Sequence, residues 1–418
     1  MSIADTMTRT RGEQLPFLRV FVAIAGIYIA QSLVSGLALQ SVPAVMRSTG
    51  AALDQIGLLY LVLIPWSLKF LWAPWLETFR LGKGRNRSRE VIIWGQWSVA
   101  VLVAAVALIG TADFPLLLTA LSLATLAAAT IDIACDGFAV EQLAAHHRGW
   151  GNTAQVGGSY VGFMLGGGVY LWLVAHSDFR TATLLLAAMI VVLSLPFVFV
   201  RLGRDPAPRD EFVPHTPSLG FALKRREVRL GIVLVILAGL GPRASSSLLG
   251  PYLIDKGLDL GTLGILNGAA AVGAGVAGTF LGALLVQAFG ASRATVVAIF
   301  LQLTVLISLT ALIRFGAATI PALIGIQVAL TITMAVGFVA FYSLLMGASS
   351  LRQAGVDFTL FQCADAACAT ASGLAAGVTA HSIGYANVFA LTVGSSLIAA
   401  IASLYLARRI EKPGGLTE

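Results

Sequence analysis

Charge is scarce in this sequence. Asp, Glu, Lys and Arg make up 11% of its 418 residues, against roughly 25% in an average water-soluble domain. Whole windows lack them: 91–112, 149–177, 260–292, 315–351 and 366–407 contain no charged side chain. Cysteine is scarcer still. Cys135, Cys363 and Cys368 all stand in apolar stretches, which argues against a disulfide framework or a thiolate metal cluster and leaves them as small packing residues. The 5 histidines are scattered, and the run Ser245, Ser246, Ser247 has no base beside it. No constellation for a membrane-embedded enzyme is assembled. A Gly-x-x-x-x-Gly-Lys-Ser phosphate loop is also missing, so ATP is not expected to drive anything within this chain. No cofactor and no metal are expected.

What is abundant is apolar surface: 57% of residues are hydrophobic and the mean hydropathy is +0.87. Surface-to-volume scaling obliges a water-soluble fold to carry a polar exterior, so the solvent of this chain is largely lipid. A helix needs about 20 apolar residues to cross the hydrocarbon layer. On that measure the sequence predicts twelve spans, at 17–39, 56–77, 91–111, 114–140, 151–175, 181–200, 230–254, 260–289, 294–313, 318–346, 358–382 and 385–407. Residues 1–16 are polar and lack an apolar core with a cleavage site, so the first span is expected to be retained.

The net charge of +7 reports topology and not nucleic-acid binding. With the N-terminus inside, inner segments hold 20 Lys and Arg, outer loops hold Arg47, Arg180, Lys256 and Arg314, and Arg19, Lys69 and Arg243 fall in spans, for 27 in all. That asymmetry predicts both termini in the cytoplasm. The polar stretch 201–229 divides the chain into a tail (1–16), a six-span bundle (17–200), a cytoplasmic linker (201–229), a second bundle (230–407) and a second tail (408–418). A weak repeat supports the division. Gly158, Gly162 and Gly166 recur every four residues in the fifth span, and Ala364, Cys368, Ser372 and Ala376 do so in the eleventh. Parallel repeats of this kind are typical of transporters built from two related halves, although small-residue stripes also serve close helix packing.

Five ionisable residues sit deep in spans: Lys69, Asp132, Asp136, Arg243 and Asp365. Each costs a few kcal/mol unless paired or wetted, which makes them functional candidates, with a purely structural salt bridge as the alternative. Lys69 precedes Glu77 by eight residues and Asp132 precedes Glu141 by nine, so both lie about 12–14 Å from the inner boundary. Asp132 and Asp136 share a helix face. One lysine facing two carboxylates leaves one acid in excess, the expected proton-exchanging group. Gly241 and Pro242 precede Arg243 and are expected to break or kink the seventh span. An Arg243–Asp365 pair is permitted by the topology, but counting residues puts them about 8 Å apart in depth. Among polar residues that could line a passage, Gln31, Gln155, Asn267 and Gln362 are candidates, and Trp66, Tyr160 and Tyr342 could stack on a ligand; interhelical hydrogen bonding is the plainer role for the amides.

Two stretches carry a family resemblance. Residues 65–77 read Pro-Trp-Ser-Leu-Lys-Phe-Leu-Trp-Ala-Pro-Trp-Leu-Glu, and residues 132–141 read Asp-Ile-Ala-Cys-Asp-Gly-Phe-Ala-Val-Glu. Both resemble the muropeptide-permease-like branch of the major facilitator superfamily, which also holds siderophore permeases. The resemblance implies an all-α membrane fold of twelve transmembrane helices in two pseudo-symmetric bundles. It also implies a cytoplasmic gate of Glu77, Arg80, Glu141 and Arg148, in which Glu141 and Arg148 form an acid-to-arginine clamp at the inner mouth between the fourth and fifth spans. Muropeptide permeases carry an arginine three residues after the second aspartate; here Ala139 stands there, and Gly137 replaces a usual alanine. The short form looks more like the siderophore permeases. The expectation is therefore a monomeric, proton-coupled importer of a siderophore, with or without iron, in the bacterial inner membrane. An anhydromuropeptide or amino-sugar permease is the second reading, and a channel or membrane enzyme ranks below both.

Overall fold

The computed structural model describes residues 16–49, 58–81, 86–200, 216–258 and 260–411. They are helical almost throughout. Among the described residues, ten helices are long and apolar enough to cross a membrane: α1 (Phe17–Met46), α3 (Ser88–Ile109), α4 (Phe114–Gln142), α5 (Arg148–His176), α6 (Phe179–Val198), α7 (Arg226–Asp255), α8 (Leu266–Phe289), α9 (Ala291–Arg314), α10 (Ile320–Ala348) and α12 (Tyr385–Glu411). The two remaining expected spans are present in altered form. α2 occupies residues 58–81 as a broken helix, and α11 (Ala354–Ile383) is a full-length helix carrying Asp357 and Asp365 in an Ala- and Gly-rich sequence.

The packing repeats with an offset of six. α1 packs on α4, α5 and α6, and α7 packs on α10, α11 and α12; α3 packs on α4 and α6, and α9 on α10 and α12. The two bundles meet through α5 on α8 and α10, and through α11 on α2 and α4, which are the same pairings exchanged between halves. α11 shows where they meet. Residues Ala354–Thr359 are all buried, whereas beyond Asp365 only Cys368, Ser372 and Ala376 are. α5 behaves alike, buried over Gly151–Gly158 and then on one stripe. The bundles are thus clasped at the end where α5 and α11 begin and splayed at the other.

Several boundaries depart from expectation, each for a local reason. The second span is not one regular helix from 56 to 77, of which 56 and 57 lie outside the described residues. It alternates 3-10 turns at Leu59–Leu63 and Lys69–Leu71 with α-helix at Ile64–Leu68 and Ala73–Leu81. Pro65 and Pro74 fall at the starts of the two α-segments, where a missing N–H is tolerated. The seventh span does not break at Pro242: α7 runs as helix through Pro242 and Pro251, as membrane helices can when neighbours re-satisfy the freed carbonyls. It starts at Arg226 and not at 230. A short helix, Leu219–Lys224, capped by the Ser218 hydroxyl, precedes it in the linker.

Close approach of α1 and α5 depends on the glycine stripe. A Cβ at Gly162 would come within 2.7 Å of Ser32 Cβ and 2.8 Å of the Leu33 nitrogen; one at Gly166 would collide with the Leu33 carbonyl. Both helices contain a π-turn at this level, Leu37–Ser41 and Leu165–Val169. A π-turn disturbs the i to i−4 ladder, and the Ser41 hydroxyl donates to the carbonyls of Gly166 and Gly167 at 2.7 and 3.0 Å. Gly162→Leu should therefore push α1 from α5 and lower stability by about 1–3 kcal/mol, the usual range for overpacking. A thermal-unfolding scan of the purified protein checks this; an unchanged midpoint would contradict it.

Candidate functional site

The break in α2 places Lys69. It begins the 3-10 turn between the two proline-started segments and its side chain is buried, aimed at α4 and α11. Its Nζ donates to Asp132 and to Gln362 Oε1, and lies 5.3 Å from the Trp66 ring centroid. The Gln31 amide of α1 completes the shell: with its nitrogen turned toward Asp132, the orientation that satisfies both of its ends, it donates to Oδ1 at 3.0 Å. One turn along α4, Asp136 accepts from the Tyr28 hydroxyl at 2.7 Å and the Gln155 amide at 2.9 Å. Among the described residues no cation touches Asp136. The lysine is committed to one acid, and the second is served by neutral donors.

A second pair lies in the other bundle. The Arg243 guanidinium grips the Asp365 carboxylate with two donors, Nη2 to Oδ2 and Nε to Oδ1, the latter at 3.2 Å. Tyr342 donates to Asp365 at 3.3 Å, and the Phe338 ring lies 5.2 Å from the guanidinium carbon. The depth difference is closed by side-chain direction: α7 and α11 start at the same end, and helical side chains lean toward their helix's N-terminus. The long arginine therefore reaches back to the shallower aspartate. The two pairs differ in access. The Lys69 and Asp132 side chains are 3% and 5% exposed, those of Arg243 and Asp365 19% and 14%. Gln362 and Asp365, one turn apart on α11, link the pairs.

At the clasped end Arg80 is fully buried, inside the helix and not in a solvated basic loop. It donates to Glu77 at 2.8 and 3.0 Å, to Glu141 at 2.6 Å and to the Ser88 hydroxyl at 2.8 Å. Glu77 in turn accepts from the Gly355 amide of the other bundle at 3.1 Å. The expected clamp from Glu141 to Arg148 does not form. Arg80 occupies Glu141, and Arg148 lies against Gly347 of α10, with its Nε unpartnered among the described residues. Beside it His147 stacks on Phe17 at 4.2 Å and meets His146 in a tilted contact at 3.9 Å; partial burial, then the neighbouring imidazole, hold its pKa below the usual histidine value.

Not every expected residue converges. Asn267 and Gln327 bond each other at 3.3 Å at an exposed position between α8 and α10, apart from both ion pairs. The Tyr160 ring packs where a Gly275 side chain would stand, at the α5–α8 contact. Two groups escaped sequence reasoning. Tyr28 is one aromatic among many on an apolar helix, with nothing local to mark it as the Asp136 donor. Asp357 accepts from Arg225, from the Gln353 amide at 2.7 Å and from the Ser350 N–H at 2.8 Å. The only signal for it was an acid at a helix start.

Removing one partner of a buried pair strands the other charge, at about 3–5 kcal/mol. Lys69→Gln should therefore destabilise by that order, and adding Asp132→Asn to it should restore most of the loss. Chemical-denaturation midpoints of the two variants check this. A double variant no more stable than the single one would show that the pairing is not what holds Lys69.

The comparisons agree with this architecture. Over 95% of this chain and 99% of its own, the crystal structure of the transporter FucP in its outward conformation superposes with a TM-score of 0.69 at 15% identity. That of a bacterial homologue of the iron transporter ferroportin in an outward-facing state gives 0.70 at 15%, over 94% of this chain and 100% of that one. At such identities the likeness is one of fold. An uncharacterized protein of Haemophilus influenzae is 26% identical over 372 residues, 84% of this chain and 85% of that protein. The anhydromuropeptide permease of Escherichia coli K12 is 27% identical over 297 residues, 67% of this chain. The match covers 59% of that permease's length. Residues 20–312 match the Major Facilitator Superfamily. The chain is a multi-pass membrane transporter and belongs to that superfamily.

Proposed function

We propose that this chain is a proton-coupled secondary transporter that imports a small polar solute across the bacterial inner membrane by alternating access. One observation carries the coupling: Lys69 is shut away with Asp132, while Asp136, on the same face of α4, has only neutral donors. A buried carboxyl without a cation is cheapest in its neutral, protonated form, so it carries the proton through the dry state and releases it when the opening of a passage wets the site. The cross-bundle bonds support the alternating step. They run from Glu77–Gly355 through Asn152–Ser343 to Lys69–Gln362, so opening that end means breaking a ladder that ends at the coupling lysine. The excess of basic residues on the inner segments supports a cytoplasmic position for the clasped end and both termini. One chain holds both bundles, which is sufficient for a monomer to work.

For the cargo, the resemblance to an anhydromuropeptide permease over two thirds of the chain favours an anhydromuropeptide or related amino sugar. A siderophore, free or iron-loaded, is the second reading. It rests on Ala139 and Gly137 in the α4 motif, where the muropeptide pattern has other residues.

Inside-out orientation must be controlled, so reconstituted vesicles of known sidedness are the test. Labelled anhydromuropeptide should accumulate under an imposed inward proton gradient and should stop accumulating when an ionophore collapses it. Accumulation of a labelled ferric siderophore instead would exchange the two cargo readings. Uptake of either that is indifferent to the ionophore would contradict proton coupling.

A further inference from the structure

The second ion pair has a feature that the first lacks. Arg243 and Asp365 meet in the bidentate geometry that a guanidinium offers to any carboxylate, yet both side chains keep measurable exposure. The Lys69–Asp132 pair is almost closed off. Arg243 also spends only Nε and Nη2 on Asp365. A cavity of about 20 Å³, room for a single water, opens beside the pair, with Phe338, Phe341, Met334 and Gln302 among its walls; a ring would enter only as those walls part. The Phe338 ring faces the guanidinium. Around one cation the protein thus places aromatic walls, a resident carboxylate and a guanidinium N–H with no partner among the described residues.

We infer that Arg243 is the carboxylate-binding group of the transport site, and that Asp365 occupies it as an internal stand-in until a ligand carboxylate displaces it. This rests on reading the chain as a transporter. The ligand class is a carboxylate borne on a ring or apolar body, which the aromatic walls would cover. Displacement leaves Asp365 held by Tyr342, its remaining donor. Asp365 lies one turn from Gln362, the amide that contacts Lys69. Arrival of the ligand therefore disturbs the same helical turn that touches the coupling lysine.

The full-length protein in detergent micelles tests this with benzoate and benzamide, rings of like shape that differ in charge. Benzoate should raise the thermal-unfolding midpoint of the wild type, and benzamide should not. In Asp365→Asn the competitor is gone, so half-saturation by benzoate should fall about 10-fold, as for relief of a modest charge-pair competition. In Arg243→Gln the response should vanish. The swapped variant Arg243→Asp with Asp365→Arg keeps an ion pair and moves the cation to α11; it should be stable but blind to benzoate at wild-type concentrations. Equal benzoate responses in wild type and Arg243→Gln, an unchanged half-saturation in Asp365→Asn, or no response in any variant would each overturn the inference. Should Arg243→Gln fail to fold, the Asp365→Asn shift still decides. No cargo crosses a membrane here, so a flat response removes the carboxylate site and leaves the transporter reading standing. Failed uptake in vesicles with the benzoate response intact removes the cargo reading alone.

Discussion

A lysine buried near the middle of a lipid-embedded bundle constrains everything around it. An isolated ammonium in such a medium costs several kcal/mol even after relaxation, so Lys69 demands a carboxylate, and Asp132 supplies it. That demand fixes the register of α2 against α4. The two proline-started segments of α2 leave a 3-10 turn at Lys69, which trades regular helix for a side chain aimed at two neighbours. Gln31 from α1 and Gln362 from α11 then satisfy the remaining polar valences. Four helices from both bundles are tied at one ammonium group. A purely apolar contact could not specify the junction so narrowly, because it is non-directional.

The two bundles share a packing scheme but differ in their charges. The first encloses its ion pair and adds a second acid; the second leaves its pair partly open beside aromatic rings. On the proposed function, pseudo-symmetry would supply the scaffold for rocking, and the asymmetry of the charges would divide coupling from binding. At the clasped end a third cluster joins Glu77 and Arg80, both fully buried, to Glu141, whose side chain is 13% exposed. It reaches the opposite bundle through a backbone N–H, that of Gly355. Such a contact can be released without stranding an ion, since Arg80 keeps both acids in the first bundle.

Much of this was legible in sequence because lipid punishes exceptions. Apolar runs long enough to cross a bilayer mark the spans, and the ionisable residues deep within them, Lys69, Asp132, Asp136, Arg243 and Asp365, form the two ion pairs and the acid beside one of them. What was not legible is instructive. Helical spacing alone put Arg243 and Asp365 at different depths; the lean of side chains toward the helix start, which residue counting ignores, unites them. The motif suggested a Glu141–Arg148 clamp, but whether Arg80 or Arg148 reaches Glu141 depends on where α3 and α10 pack. Tyr28 carried no signal, since an aromatic in an apolar helix looks the same whether it fills space or donates to an acid. The breaks in α2 were written in Pro65 and Pro74, yet Pro242 and Pro251 left α7 helical, so proline by itself does not decide.

The central claim is that Asp136 carries the proton while the Lys69–Asp132 pair holds the site together. Proton movement accompanying cargo entry into de-energised vesicles measures it most directly, with external pH followed in wild type and in Asp136→Asn. The account predicts alkalinisation of the medium on adding cargo to wild type, and exchange of labelled cargo without any pH change in Asp136→Asn. Alkalinisation of wild-type size in Asp136→Asn would contradict it.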